Sequence, residues 1–267
     1  TDINGSFAQI NTLISDKSDG SLTGLAAQTI TLDDASVSVT NANAVNATTT
    51  GVVTATIEAT SLTNLVNNLT DNSGGSSDNA YTIVLATTDS NGDATNDATS
   101  SASNLTALNA LTSVGINAAI VTTVTGTATQ INTLLTNEGN SGDKVNLDTD
   151  FTVTAFGTAE AVQLNTINSA TTGLVTATDV TAISGIVGDL IILVGNEGTS
   201  GDKVALDGDF AMTVSSGSAT VAQVNTMHAF STTGAITATI SETDIATLDG
   251  LSTTSADQLT ITVGDTS

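Results

Sequence analysis

The phrase Gln130-Ile131-Asn132-Thr133-Leu134 limits what this chain can fold into more than any other stretch, because it keeps returning. It recurs as Gln9-Ile10-Asn11-Thr12-Leu13, Gln163-Leu164-Asn165-Thr166-Ile167 and Gln223-Val224-Asn225-Thr226-Met227. Looser copies place the central residue at Asn46, Asn67, Asn109 and Asp249, and Leu190-Ile191-Ile192-Leu193 is a copy without the Asn. Long and short steps alternate, and two steps together span roughly 60 residues. Self-similarity at a fixed period marks a repeat architecture, in which each unit needs only its neighbours to bury its apolar face.

Each copy sits on helical spacing. Leu62, Leu65, Val66 and Leu69 give the i, i+3, i+4, i+7 stripe of an amphipathic helix. Helices are therefore expected near 6–15, 41–47, 61–69, 103–111, 127–136, 159–168, 186–194, 219–229 and 243–251. Between them lie Val/Thr-rich runs that alternate with period two, such as Thr54-Ala55-Thr56-Ile57, and these read as strands. Strands are expected near 30–39, 52–57, 81–86, 116–121, 145–154, 174–180, 204–214, 235–240 and 259–263. Val53, Ala55 and Ile57 would bury one strand face. A helix between successive strands supplies the crossover that parallel pairing needs. The fold class expected is α/β: a solenoid of about four repeats with parallel strands on one side and short helices on the other, an all-β solenoid being the alternative. Residues 1–267 form a single repeat array, with units near 1–28 (partial), 29–80, 81–143, 144–202, 203–258 and 259–267 (partial). The first residue is not Met, so the chain is expected to be processed or an excerpt. Asp71–Asn79 and Thr87–Ser101 look like insertions on one face.

Composition narrows the function classes. A formal charge of −24, from 27 acidic residues against three Lys, repels nucleic acid and anionic membranes. High acidity with few aromatics is also the signature of disorder, but 39% hydrophobic residues recurring in register argue for a packed core. There is no Cys, which removes disulfides and thiol chemistry. No apolar run reaches membrane-spanning length. The recurrent Asn has two readings: a ladder in which its amide bonds the backbone of the next repeat, or a solvent-facing polar residue.

The acidic residues follow the repeat. Asp16, Asp19, Asp33 and Asp34 are followed by Asp71, Asp78 and Asp89, then Glu138, Asp143, Asp148 and Asp150, then Glu197, Asp202, Asp207 and Asp209. Asp148 with Asp150, and Asp207 with Asp209, would share a strand face. Carboxylates beside Gly-rich backbone have the make-up of a Ca²⁺ site; the other reading is a solvated acidic edge, which Lys17, Lys144 and Lys203 partly neutralise. Asp89-Ser90-Asn91-Gly92-Asp93, with Asp97 further on, resembles the start of an EF-hand loop but carries Gly at the fourth place and Ser100 at the twelfth. As an isolated oxygen-rich loop, Asp89, Asn91, Asp93 and Asp97 remain candidate ligands. Gly74-Gly75-Ser76-Ser77-Asp78 resembles a calcium nonapeptide and occurs once.

Thr54/Thr56, Thr176/Thr178 and Thr237/Thr239 align hydroxyls on one face of successive strands, which raises either water ordering at ice or an ordinary polar sheet face. His228 is the only His, so no His-based metal site and no Ser/His/Asp triad is indicated, and no phosphate loop occurs. The expectation is a protein without catalytic residues.

The stretch from Gln163 to Thr178, and Gly126-Thr127-Ala128-Thr129-Gln130, resemble the Thr/Ala/Asn/Asp-rich repeats of long surface proteins of marine cyanobacteria and of structural proteins of their viruses. That resemblance implies an extracellular structural or adhesive role at the cell surface, often with calcium, or alternatively a virion appendage. The expected partner is the chain itself, stacked head to tail, or further repeats of a longer chain, with no nucleic acid and no membrane insertion. Phe7, Ile10 and Leu13 would meet Leu259, Ile261 and Val263 at that contact.

Overall fold

The computed structural model describes residues 2–71, 78–139 and 142–264. In chain order the first elements are β1 (Asp2–Gly5), α1 (Phe7–Ser18), β2 (Thr29–Leu32), α2 (Val39–Asn46), β3 (Val53–Thr56), α3 (Leu62–Asn68) and β4 (Ala80–Thr82). Next come β5 (Thr99–Ser101), α4 (Ala102–Asn109), β6 (Ile116–Asn117), β7 (Thr123–Thr127), α5 (Ala128–Thr136) and β8 (Val145–Asn146). The last are β9 (Thr152–Glu160), α6 (Ala161–Ala170), β10 (Val175–Gly185), α7 (Val187–Gly195), β11 (Val204–Leu206), β12 (Ala211–Val214), α8 (Val221–Phe230), β13 (Ile236–Thr239), α9 (Ile245–Leu248) and β14 (Gln258–Thr260). These α-helices rule out the helix-free alternative.

The chain forms two compact units, Thr1–Thr122 with Thr136–Asp148, and Thr123–Leu135 with Thr149–Ser267. In the first, strands follow the order β1-β2-β3-β4, every neighbour parallel, and β6 pairs parallel with β8. In the second the order is β7-β9-β10-β12-β13-β14, again parallel, with β11 beside β10. Inward strand residues such as Val53, Ala55, Val153, Ala155, Val175 and Ala177 are buried beneath the helices' apolar positions.

Every residue of the recurrent phrase has a separate job. The Gln closes a capping box: Gln9, Gln130, Gln163 and Gln223 accept the N–H of Ser6, Thr127, Glu160 and Thr220 at 2.8–3.1 Å. Ile10, Ile131, Leu164 and Val224 are buried, as are Leu134, Ile167 and Met227 one turn on. Each Thr returns its hydroxyl proton to the carbonyl four residues earlier, as Thr166 does to Val162 at 2.8 Å. In three of the four close copies the Asn forms the ladder, Asn11 being exposed. Asn132 donates to Gln163 O at 3.2 Å, Asn165 to Asp189 O at 3.0 Å and Asn225 to Gly250 O at 2.8 Å. In α2 the place in register is Asn43, which donates to Asn68 O at 2.6 Å and accepts from Thr70 N at 2.9 Å, and Asn46 three places on also joins the next module, donating to Asp71 O at 3.0 Å. Counted from the N-caps Ser61 and Ser101, the corresponding places in α3 and α4 are Val66 and Thr106, not Asn67 and Asn109. The looser sequence copies were out of register because apolar residues recur at both three and four places in a helix.

A second device joins the modules just before a strand begins. The buried hydroxyls of Thr49, Thr112, Thr171 and Ser231 donate to the carbonyls of Gln28, Tyr81, Phe151 and Phe210, in the preceding strand–helix module. A glycine follows within three residues. A Cβ on Gly51 would lie 2.3 Å from Gln28 O, on Gly173 2.3 Å from Phe151 O, and on Gly234 1.9 Å from Phe210 O. Adjacent backbones come too close there for any side chain.

Most expected strands are shorter than the sequence suggested: 81–86 is reduced to β4, 116–121 to β6 and 259–263 to β14. The run 145–154 is broken by a turn at Thr149–Asp150 and the run 204–214 by one at Gly208–Asp209, while 30–39 bends at Asp34 and Ala35. Asp148 with Asp150, and Asp207 with Asp209, thus bracket turns and do not share a strand face. Asp and Gly favour turns by bonding their own backbone, as Gly208 N does to Asp207 Oδ1 at 2.7 Å. Conversely β9 and β10 run further than expected, directly into α6 and close to α7. Strands β1, β5 and β7 fall in stretches read as loop or helix approach.

Candidate functional site

Strand β14 lies at one end of the strand order in the second unit, and the module it belongs to is unlike the others. Helix α9 buries none of its residues. At the first helical place, Ala128, Ala161 and Val221 are at most 6% exposed, whereas Ile245 is 65% exposed. Ile261 and Val263, following β14, are 43% and 57% exposed. Leu248, Leu251 and Leu259 are half-buried. An apolar face and an unpaired strand edge therefore coincide, the arrangement from which strand addition proceeds. In the first unit β1 is likewise at an end of the strand order, beside α1, where Phe7 and Leu13 are half-buried. Ile10, expected at the contact, is 2% exposed and belongs to the core instead.

The candidate calcium ligands scatter. Asp89 Oδ1 accepts the N–H groups of Asn91 and Asp93, both at 2.9 Å, so one oxygen of the loop's first carboxylate holds its own turn. Asp97 is buried and accepts Leu62 N at 3.0 Å at the start of α3; burial raises its carboxyl above the ordinary range. Burial and the neighbouring Asp78 charge raise Asp143. Glu138 and Glu197 make isolated parallel bridges to Val145 and Val204, in two loops of similar sequence that also carry Asp143 and Asp202. Among the described residues no group of three or more His, Asp or Glu is placed to hold a metal ion. Most of Gly74–Asp78 lies outside the described residues.

Other carboxylates serve as helix acceptors. Asp34 accepts Phe7 N at the start of α1, and Glu242 accepts Val221 N at 3.2 Å at the start of α8, as Asp97 does for α3. Negative charge at a helix N-terminus is stabilising. Sequence reading missed this use because donor and acceptor are 21–35 residues apart.

A groove of about 440 Å³ in the first unit brings Asp89 and Asn91 beside Ser38, Asn43, Glu58 and Asn64. Glu58 lies in no sequence motif. The lone His228, for which the sequence showed no partner, bonds Asp257 at 2.8 Å, with both side chains under 10% exposed.

The chain matches no known family model, no curated protein and no solved structure. No helix among the described residues is long and apolar enough to cross a membrane.

Proposed function

We propose that the chain is a segment of an extracellular structural repeat protein, such as a surface layer, filament or adhesin. Its modules would wind as a single solenoid of about four repeats, extended by docking the α9–β14 face onto the β1–α1 face of another copy or of further repeats. The observation that carries this reading is the 65% exposure of Ile245 at a place where Leu62, Ala102, Ala128, Ala161 and Val221 are buried, beside the free edge of β14. The occupant that fits is another module of the same kind, because neighbouring modules cover one another in that way, as α2 and α3 do in the first unit and α6, α7 and α8 in the second. Two different faces meeting head to tail propagate unless rotation closes a ring. The charge of −24 supports a role outside nucleic-acid chemistry.

Sedimentation and light scattering test this. The wild-type chain is expected to assemble with rising concentration, and Ile245→Asp/Ile261→Asp/Val263→Asp to remain monomeric with unchanged circular dichroism. A wild-type chain that stays monomeric throughout, or a triple variant that assembles equally well, would overturn the reading.

A further inference from the structure

The α9–β14 module is held by little apolar burial, so its polar attachments matter more than elsewhere. Asn225 bonds Gly250 O and Ser252 N, both at 2.8 Å. Beyond that stands the His228–Asp257 pair. His228 is eight places after the N-cap Thr220 of α8, and Asp257 immediately precedes β14. The first unit contains the same arrangement with different chemistry. Asn46 is eight places after the N-cap Ser38 of α2, and its Oδ1 accepts from Asn79 Nδ2 at 2.9 Å, Asn79 immediately preceding β4. Asn79 Oδ1 accepts Val53 N, and Asp257 Oδ1 accepts Ile236 N, each at 2.8 Å. One fastening thus exists twice, once as an amide pair that does not titrate and once as an imidazole–carboxylate pair that does.

We propose that the His228–Asp257 pair is an acid-release latch, which holds the α9–β14 module in register at neutral pH and frees it when Asp257 is protonated. The latch itself stands on this geometry; its role in controlling self-association rests on the assembly reading above. Three donors converge on the Asp257 carboxylate: Ile236 N–H on Oδ1, and Thr254 N–H at 2.6 Å with His228 Nε2 on Oδ2. An added proton removes the negative charge that all three donors bond to, and so weakens each of these charge-assisted bonds. Burial alone would raise this carboxyl, but the Thr254 and Ile236 amides and the His228 ring outweigh burial and hold it below the ordinary range. The sign follows: a depressed carboxyl contributes stability above its unfolded value, lost as pH falls through the lower folded value. Other ionisable groups near the pair are few. Helix α8 and strands β13 and β14 carry none besides His228; Glu242, between β13 and α9, accepts Val221 N at the far end of α8, Asp244 is the N-cap of α9, Asp249 follows α9, and α7, packed on α8, carries Asp189.

Hydrogen exchange on dilute protein tests the latch, with protection of the β14 amides expressed relative to β9 amides in the same molecule. In the wild type the ratio should fall at least about tenfold as pH drops below the ordinary carboxylate range near 3.9. Asp257→Asn, which places an amide N–H₂ where a carboxylate oxygen accepts, should show the loss already at neutral pH. His228→Asn/Asp257→Asn, which copies the Asn46–Asn79 pair, should retain protection at both. If wild type and double variant lose protection together, the latch is refuted. The same holds if Asp257→Asn behaves as wild type. Should Asp257→Asn unfold globally by circular dichroism, the comparison of wild type with the double variant alone decides. Light scattering on the same samples separates the two ideas. Release without assembly at any pH keeps the latch and removes the assembly reading, whereas assembly indifferent to release refutes the latch's control of it.

Discussion

Gly234→Ala is expected to destabilise the second unit by about 3 kcal/mol, the upper part of the usual range for overpacking. The new Cβ would meet Phe210 O at 1.9 Å and the Ser231 hydroxyl at 2.4 Å. Neither neighbour can turn aside, because one is backbone and the other donates its proton to that same carbonyl. Two modules must therefore separate where they are fastened. Gly173→Ala, 2.3 Å from Phe151 O, should behave alike, and Gly51→Ala should do the same in the first unit. Gly188→Ala on α7 is the control: nothing lies within 4 Å of its Cβ, and alanine is the better helix former by up to about 1 kcal/mol. Urea denaturation ranks the set. A Gly234→Ala variant no less stable than Gly188→Ala would show that the backbones do not approach as described.

Leu164→Ala should cost about 2–5 kcal/mol, the range for deleting a fully buried leucine. Leu164 is 0% exposed, four places after the N-cap of α6, a helix that packs on α7, β9 and β10. The melting temperature should drop by roughly 4–20 °C, at about 2–4 °C per kcal/mol for a chain of this order of size. Leu248, four places after the N-cap Asp244, occupies the same place in α9 but is only half-buried. Leu248→Ala should therefore cost less than about 1 kcal/mol in dilute solution. If another module covers α9 in the assembly, that cost should rise with protein concentration. Equal, small effects of both substitutions at low concentration would mean the repeat does not bury its central leucine.

The sequence was most informative where the relevant bonds are short in sequence. Helix positions followed from apolar spacing, as at Leu62 and Leu65. The capping residues of α1, α5, α6 and α8 lie three places before a Gln and were legible in principle. The Asn ladder was one of two readings of a recurring poor helix former; it holds at Asn46 too, through Asp71 O, while Asn67 and Asn109 stand outside the register. Asp148 and Asp150 were misplaced because Val, Leu and Phe on either side read as one continuous strand. The buried Phe151 and Phe210 show that the strand resumes after a turn.

By itself the sequence determined the period, the alternation of strand and helix, the parallel crossovers and the apolar stripe of each helix. These follow from 3.6- and two-residue periodicities and from capping within one turn, so neighbouring residues carry the whole signal. Tertiary structure alone decided what each polar residue is for. Asp34, Asp97 and Glu242 accept from helix N-termini, Thr171 and Ser231 fasten modules, and Asp257 takes His228. Each of those partners lies 20–35 residues away, and an acidic or hydroxyl side chain looks the same in sequence whether it faces water or a neighbour's amide. Only the parallel pairing of one module on the next brings donor and acceptor together, because a buried backbone group must find its partner there and not in solvent.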